Sequence, residues 1–131
     1  MAIDTKCSVD KGNVDLGTSQ QEYLLYQIVV ESGTPAYTLI EKAGNKNREV
    51  LSDATCPSPC KRKWPLSSDE VPPESPVSHG LGITMVGPGR LKYKVERYDQ
   101  QDKLVETVKD CVYTNLTGSD NRFSRLRIHL S

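Results

Sequence analysis

The stretch that decides the fold is Arg125-Leu126-Arg127-Ile128-His129-Leu130, near the end of the chain. Charged and apolar residues alternate one by one, so Leu126, Ile128 and Leu130 share one face while Arg125, Arg127 and His129 share the other. Period two is the mark of a half-buried β-strand, because successive side chains leave opposite faces of the pleat. The same period recurs upstream. Leu91, Tyr93 and Val95 alternate with Lys92, Lys94 and Glu96, and Leu81, Ile83 and Met85 form a similar row. With Gly87-Pro88-Gly89 between them, these two segments read as hairpin partners.

Working further out, Ile3, Thr5, Cys7 and Val9 alternate with Asp4, Lys6, Ser8 and Asp10, which predicts another half-buried strand. A polar turn is expected around residues 11–17. The run from Tyr23 through Val30 is apolar on both faces and predicts a central strand. Ser32-Gly33-Thr34-Pro35 is a turn cluster, followed by a short strand at 36–41, a loop at 44–47 and a brief extended segment at 49–51. Residues 104–113 fit either a helix capped by Asp102 or a strand; Val105, Thr107, Val108 and Val112 are β-branched, which favours the strand. The expected fold is therefore all-β, a single domain over residues 1–131 built as a two-sheet antiparallel β-sandwich of seven or eight strands.

Composition limits what such a domain does. Its 131 residues suffice for one core, and folding buries roughly two-thirds of the surface the unfolded chain exposes. Seventeen basic residues balance seventeen acidic ones, so no global field favours nucleic acid or an anionic membrane. No apolar run approaches the ~20 residues of a membrane span. The start, Met1-Ala2-Ile3-Asp4, lacks the basic and apolar regions of a signal peptide, so Met1 reads as an added start residue on a mature chain.

Cys7, Cys56, Cys60 and Cys111 are an even set in a small chain, which favours two disulfides and a secreted, extracellular location. Three connectivities are possible. The preferred one joins Cys7 to Cys111, in strand-like segments near opposite ends, and Cys56 to Cys60 across a stiff Pro57-Ser58-Pro59 loop. Closing the long loop contributes about 4–5 kcal/mol in the chain-entropy model and the short one about 2. The competing reading is zinc, because Cys56-x-x-x-Cys60 has ligand spacing and His79 offers a third ligand, but a fourth is missing. No metal and no cofactor are expected.

Residues 56–79 hold six of the eight prolines and read as one long Pro-rich loop, of the kind that is usually functional or disordered. It opens with Lys61-Arg62-Lys63-Trp64, where an exposed Trp beside cations suits a protein interface; the alternative is a Trp that pins the loop to the core. A second candidate is a basic face of Lys92, Lys94, Arg125, Arg127 and His129, which requires the strands at 90–97 and 123–130 to be neighbours; the alternative is a solvated sheet face neutralised by Glu96 and nearby acids. Catalytic motifs are absent: a nucleophile needs a base beside it, no motif surrounds either histidine, His79 or His129, and no carboxylate pair stands out. Asn115-Leu116-Thr117 is a glycosylation sequon.

The last third has a recognisable layout: Cys111 to Tyr113, the Thr117-Gly118 turn, Phe123, then Leu126, Ile128 and Leu130. Together with Cys7 this resembles the ToxA-like secreted fungal effectors. That resemblance implies a fibronectin-III-like β-sandwich with an early cysteine bridged to a late one, as Cys7–Cys111 would reproduce. It further implies a non-enzymatic virulence protein that binds a host protein and is sensed by a plant immune receptor, whether outside the cell or after translocation into it. The Arg-Gly-Asp loop of the family's founding toxin is absent and the Cys56–Cys60 loop is extra, so no binding residue transfers. The sequence thus predicts a monomeric, secreted, effector-like module for a protein partner. The alternatives are an extracellular carbohydrate-binding or adhesion module and a small secreted enzyme inhibitor.

Overall fold

The computed structural model describes residues 3–131; the expectation for Met1 lies outside them. Leu126 and Ile128 are fully buried and Arg125 and Arg127 exposed on the last strand, as the alternation requires. Ten strands build the chain: β1 (Asp4–Asp10), β2 (Asn13–Leu16), β3 (Tyr23–Ser32), β4 (Ala36–Ala43), β5 (Lys46–Ser52), β6 (Cys60–Trp64), β7 (Val77–Val86), β8 (Gly89–Tyr98), β9 (Leu104–Asn115) and β10 (Ser119–Leu130). Two single 3-10 turns, at Thr18–Gln20 and Ser68–Glu70, are the only helical elements among the described residues, so no helix there is long and apolar enough to cross a membrane.

The strands form two five-stranded sheets, β1-β9-β8-β3-β6 (sheet A) and β2-β10-β7-β4-β5 (sheet B). Leu24, Tyr26 and Ile28 of β3 with Leu91, Tyr93 and Val95 of β8 face Leu39 of β4, Leu81, Ile83 and Met85 of β7 and Leu126 and Ile128 of β10. Burying a side chain of this size stabilises by about 1.5–3 kcal/mol, whereas an exposed ion pair contributes about 0–1. The inward rows therefore fix the register of every long strand.

Several expectations are corrected. There are ten strands rather than seven or eight, because short β2 lies in the segment expected to be a turn and β6 interrupts the expected Pro-rich loop. The pairing is not wholly antiparallel: β2 runs parallel to β10, Asn13 opposite Arg127 through Leu16 opposite Leu130. β7 and β8 are not hairpin partners. Their apolar rows face each other across the core, with β7 between β4 and β10 and β8 between β3 and β9. Gly87-Pro88-Gly89 is thus a crossing between sheets, and it packs on the parallel crossing from β3 to β4, where Gly33 has φ +74° and a Cβ would collide with the Pro88 carbonyl oxygen. β1 is an edge strand whose residues are exposed on both faces except for half-buried Val9, so it is not the half-buried strand predicted.

The Cys7–Cys111 bond lies within sheet A, joining directly opposed residues of β1 and β9 whose Cα atoms are 4.0 Å apart. Cys56–Cys60 closes the entry to β6. Two disulfides are consistent with an extracellular protein.

Candidate functional site

β6 adds to the free edge of β3, and this is what assembles a charged surface. Leu25 of β3 stands opposite Lys63 on one side and Glu96 on the other; Gln27 stands between Lys61 and Lys94; Val29 stands beside Lys92. Because Leu24, Tyr26 and Ile28 point into the core, these intervening residues point outward, and so do the lysines. Lys61, Lys63, Lys92 and Lys94 consequently share the outer face of sheet A, arranged in two ranks on either side of a strip formed by Leu25, Gln27 and Val29. Val29 is 38% exposed.

Only part of this charge is neutralised. Lys92 Nζ is 3.5 Å from Glu31 and Lys94 Nζ 3.8 Å from Glu96, both at surface distances that contribute little. Glu31 is shared with Arg90 at 2.6 Å, whose hydrogen bond holds its carboxyl below the usual value. Glu96 accepts further hydrogen bonds from Gln27 at 2.6 Å and Tyr98 at 3.2 Å. Lys63 lies over the Tyr23 ring, 4.1 Å from its centroid, and Lys61 has no carboxylate within ion-pair reach among the described residues.

The other expected members are elsewhere. Arg125 and Arg127 project from β10 on the outer face of sheet B, so they do not join Lys92 and Lys94; the adjacency assumed for them fails because β8 and β10 belong to different sheets. Trp64 is fully buried and stacks edge-on against His79, with ring centroids 4.5 Å apart. It pins the chain to the core and is not an exposed anchor. Arg62 also turns inward, where its Nη2 is 3.2 Å from Glu70.

That inward turn leads to a polar network invisible from motifs. His79 Nε2 is 3.0 Å from Glu41 Oε1, and its Nδ1 meets the Tyr26 hydroxyl. Arg48 Nε donates to Glu41 Oε2 at 2.8 Å, and its Nη2 reaches Glu70 at 3.8 Å. Burial pushes the His79 pKa down, favouring the neutral ring that accepts from Tyr26 and donates to Glu41. Burial alone would raise the Glu41 carboxyl, but hydrogen bonds from His79 and Arg48 outweigh it and hold it low. The chain of contacts ties the Ser68–Glu70 turn to β4, β5 and β6 and borders a cleft of about 610 Å3 walled by Pro72, Pro73 and Glu74. A sequence signal for it existed: Tyr37, Leu39 and Glu41 share one alternating row, and Val77, His79 and Leu81 another.

Both cysteine pairs are disulfides, which removes the sulfurs as zinc ligands. His129 is half-buried and sits 3.2 Å from Asn13 on β2. Asn115 of the sequon is 1% exposed, and its Nδ2 donates to the carbonyls of Gly87 at 2.8 Å and Gly118 at 3.1 Å. Its amide braces the β7–β8 crossing at Gly87 and the β9–β10 connection at Gly118, and is closed to a glycan in the folded state.

No protein-family profile, curated protein or solved structure matches the chain.

Proposed function

We propose that this protein is a secreted, non-enzymatic binding module that presents the outer face of sheet A to an acidic surface on a partner protein. The observation that supports this is the two-rank placement of Lys61, Lys63, Lys92 and Lys94 around the Leu25-Gln27-Val29 strip. A strip with apolar members supplies contact area, while flanking cations steer an acidic partner and set its register. The disulfide pairing supports the secreted part of the reading. The narrower reading, an effector that binds a host protein and is sensed by a plant immune receptor, takes its support from the C-terminal resemblance to ToxA-like proteins.

The test is affinity capture of extracellular proteins by the oxidised chain, in parallel with a variant carrying Lys61→Glu, Lys63→Glu, Lys92→Glu and Lys94→Glu. The partner is then purified and titrated against both. The expected result is a partner with an acidic surface, bound at least about tenfold more weakly by the variant and progressively more weakly with salt. A partner bound equally by both would refute the assignment.

A further inference from the structure

At the seam opposite the His79 network, β1 and β9 of sheet A meet β10 of sheet B around a recess of about 250 Å3. Its most unusual member is Lys109. The side chain is only 3% exposed, and its ammonium lies 2.6 Å from Asp10 Oδ1, while Asp10 itself is 53% exposed. Burying an ammonium costs several kcal/mol unless it is well paired, and here its one carboxylate partner is half in solvent.

Two further cations line the same recess. Arg122 is held in place, its Nη1 2.9 Å from Asp120 and its Nη2 donating to the Ile3 carbonyl at 2.7 Å. Arg125 has no carboxylate within ion-pair reach among the described residues, and its guanidinium lies 5.5 Å from the centroid of Phe123. Tyr113 and Ser124 complete the wall. Nearby, the Tyr93 hydroxyl is fully buried without a hydrogen-bond partner; burial raises its pKa, and Tyr113 and Asp10 lie close enough to raise it further. Three cations, Lys109, Arg122 and Arg125, thus line the recess against a single lining carboxylate, Asp10, and such an excess of positive charge complements an oxyanion.

Phe123 adds a second element. Its ring covers the bare backbone of Gly80, where a Cβ would collide with it, so the ring is bedded on β7 and still 59% exposed at the rim. A fixed, exposed ring beside a guanidinium is a platform on which a second aromatic ring stacks.

We infer that the recess between β1, β9 and β10 binds an aromatic ester of a tetrahedral oxyanion, the side chain of a phosphorylated or sulfated tyrosine, with the oxyanion toward Lys109, Arg122 and Arg125 and the ring on Phe123. This site lies at the β1 edge and Lys61 and Lys63 at the β6 edge, so it stands independently of the sheet A assignment.

The test titrates the oxidised full chain, followed by amide NMR, with phenyl phosphate, phenyl sulfate, inorganic phosphate and inorganic sulfate. The expected result is saturable shifts on β9 and β10, with a phenyl ester binding more tightly than its inorganic ion; whichever ester binds better names the carrier. Arg125→Ala should weaken binding about tenfold, the loss expected for one charge-assisted hydrogen bond. Phe123→Leu should abolish the phenyl preference while leaving inorganic anion binding. Both residues are exposed, so both variants should fold. Absence of saturable shifts with all four probes, or shifts confined to the Lys61 and Lys63 face, would overturn the inference.

Discussion

Glu41 Oε1 lies 3.0 Å from His79 Nε2, a carboxylate and an imidazole buried together at the seam of two sheets. The folded state lowers the pKa of both from their ordinary values of 4.5 and 6.5. For each group the unfolded chain binds protons more readily, so both contributions to stability shrink on acidification. The His79 contribution is complete above pH 6.5 and is lost as pH falls below that toward its folded value. That of Glu41 is complete above 4.5 and is lost below it.

Urea denaturation between pH 7 and pH 3 should therefore show a midpoint that falls in two stages. His79→Gln should flatten the upper stage. Glu41→Gln should reduce the lower one, to which Glu31, Glu106 and Asp120 also contribute, and lower stability at pH 7 by about 1–3 kcal/mol, since a buried charged acceptor is replaced. A midpoint that stays constant down to pH 5 in the unsubstituted protein would contradict the assignment of a neutral, buried His79.

The two disulfides should differ in weight. Cys7–Cys111 spans a sequence separation of 104 and is what retains an exposed edge strand, whereas Cys56–Cys60 spans 4. Replacing the first pair by alanine should cost about 4–5 kcal/mol and the second about 2 in the chain-entropy model. Equilibrium unfolding of the two double variants measures the difference.

Gly33→Ala should destabilise by about 1–3 kcal/mol, because φ of +74° is strained for a side chain and the new Cβ meets the Pro88 carbonyl oxygen. Gly87→Ala shares the positive φ but has open space around its Cβ, so it should cost less. A calorimetric comparison of the two separates backbone strain from collision at the inter-sheet crossings.

Asn115→Ala leaves the carbonyls of Gly87 and Gly118 without the donor they share, and should cost about 1–3 kcal/mol. Expressed through a eukaryotic secretory route, the folded, exported protein should carry no glycan at Asn115, which intact mass reads directly. Exported protein of native stability with a glycan there would contradict the buried placement of this side chain.

Much of the fold was legible because period two fixes which side chains face inward, as at Leu126 and Ile128 or Leu91, Tyr93 and Val95. Strand partners were not, because alternation is the same whether two rows lie side by side or face each other across a core. That ambiguity hid the true relation of β7 to β8 and wrongly placed Arg125 and Arg127 beside Lys92 and Lys94. β6 was masked by flanking prolines, although Cys60, Arg62 and Trp64 alternate with Lys61 and Lys63 as an edge strand should. Once β6 is paired to β3, four of the expected cations fall on one face. His79 and Glu41 escaped notice because a buried polar residue in an apolar row carries no motif; only its position in the row betrays it.

The proposed binding surface is the outer face of sheet A. The direct test is the affinity of the captured partner for two charge-reversed chains, one with Lys61, Lys63, Lys92 and Lys94 changed to Glu and one with Arg127, on the outer face of sheet B and outside the anion recess, changed to Glu. Loss of at least about tenfold is expected for the first and little change for the second. Binding that survives reversal of the four lysines, or is lost only with Arg127 of sheet B, would overturn this assignment.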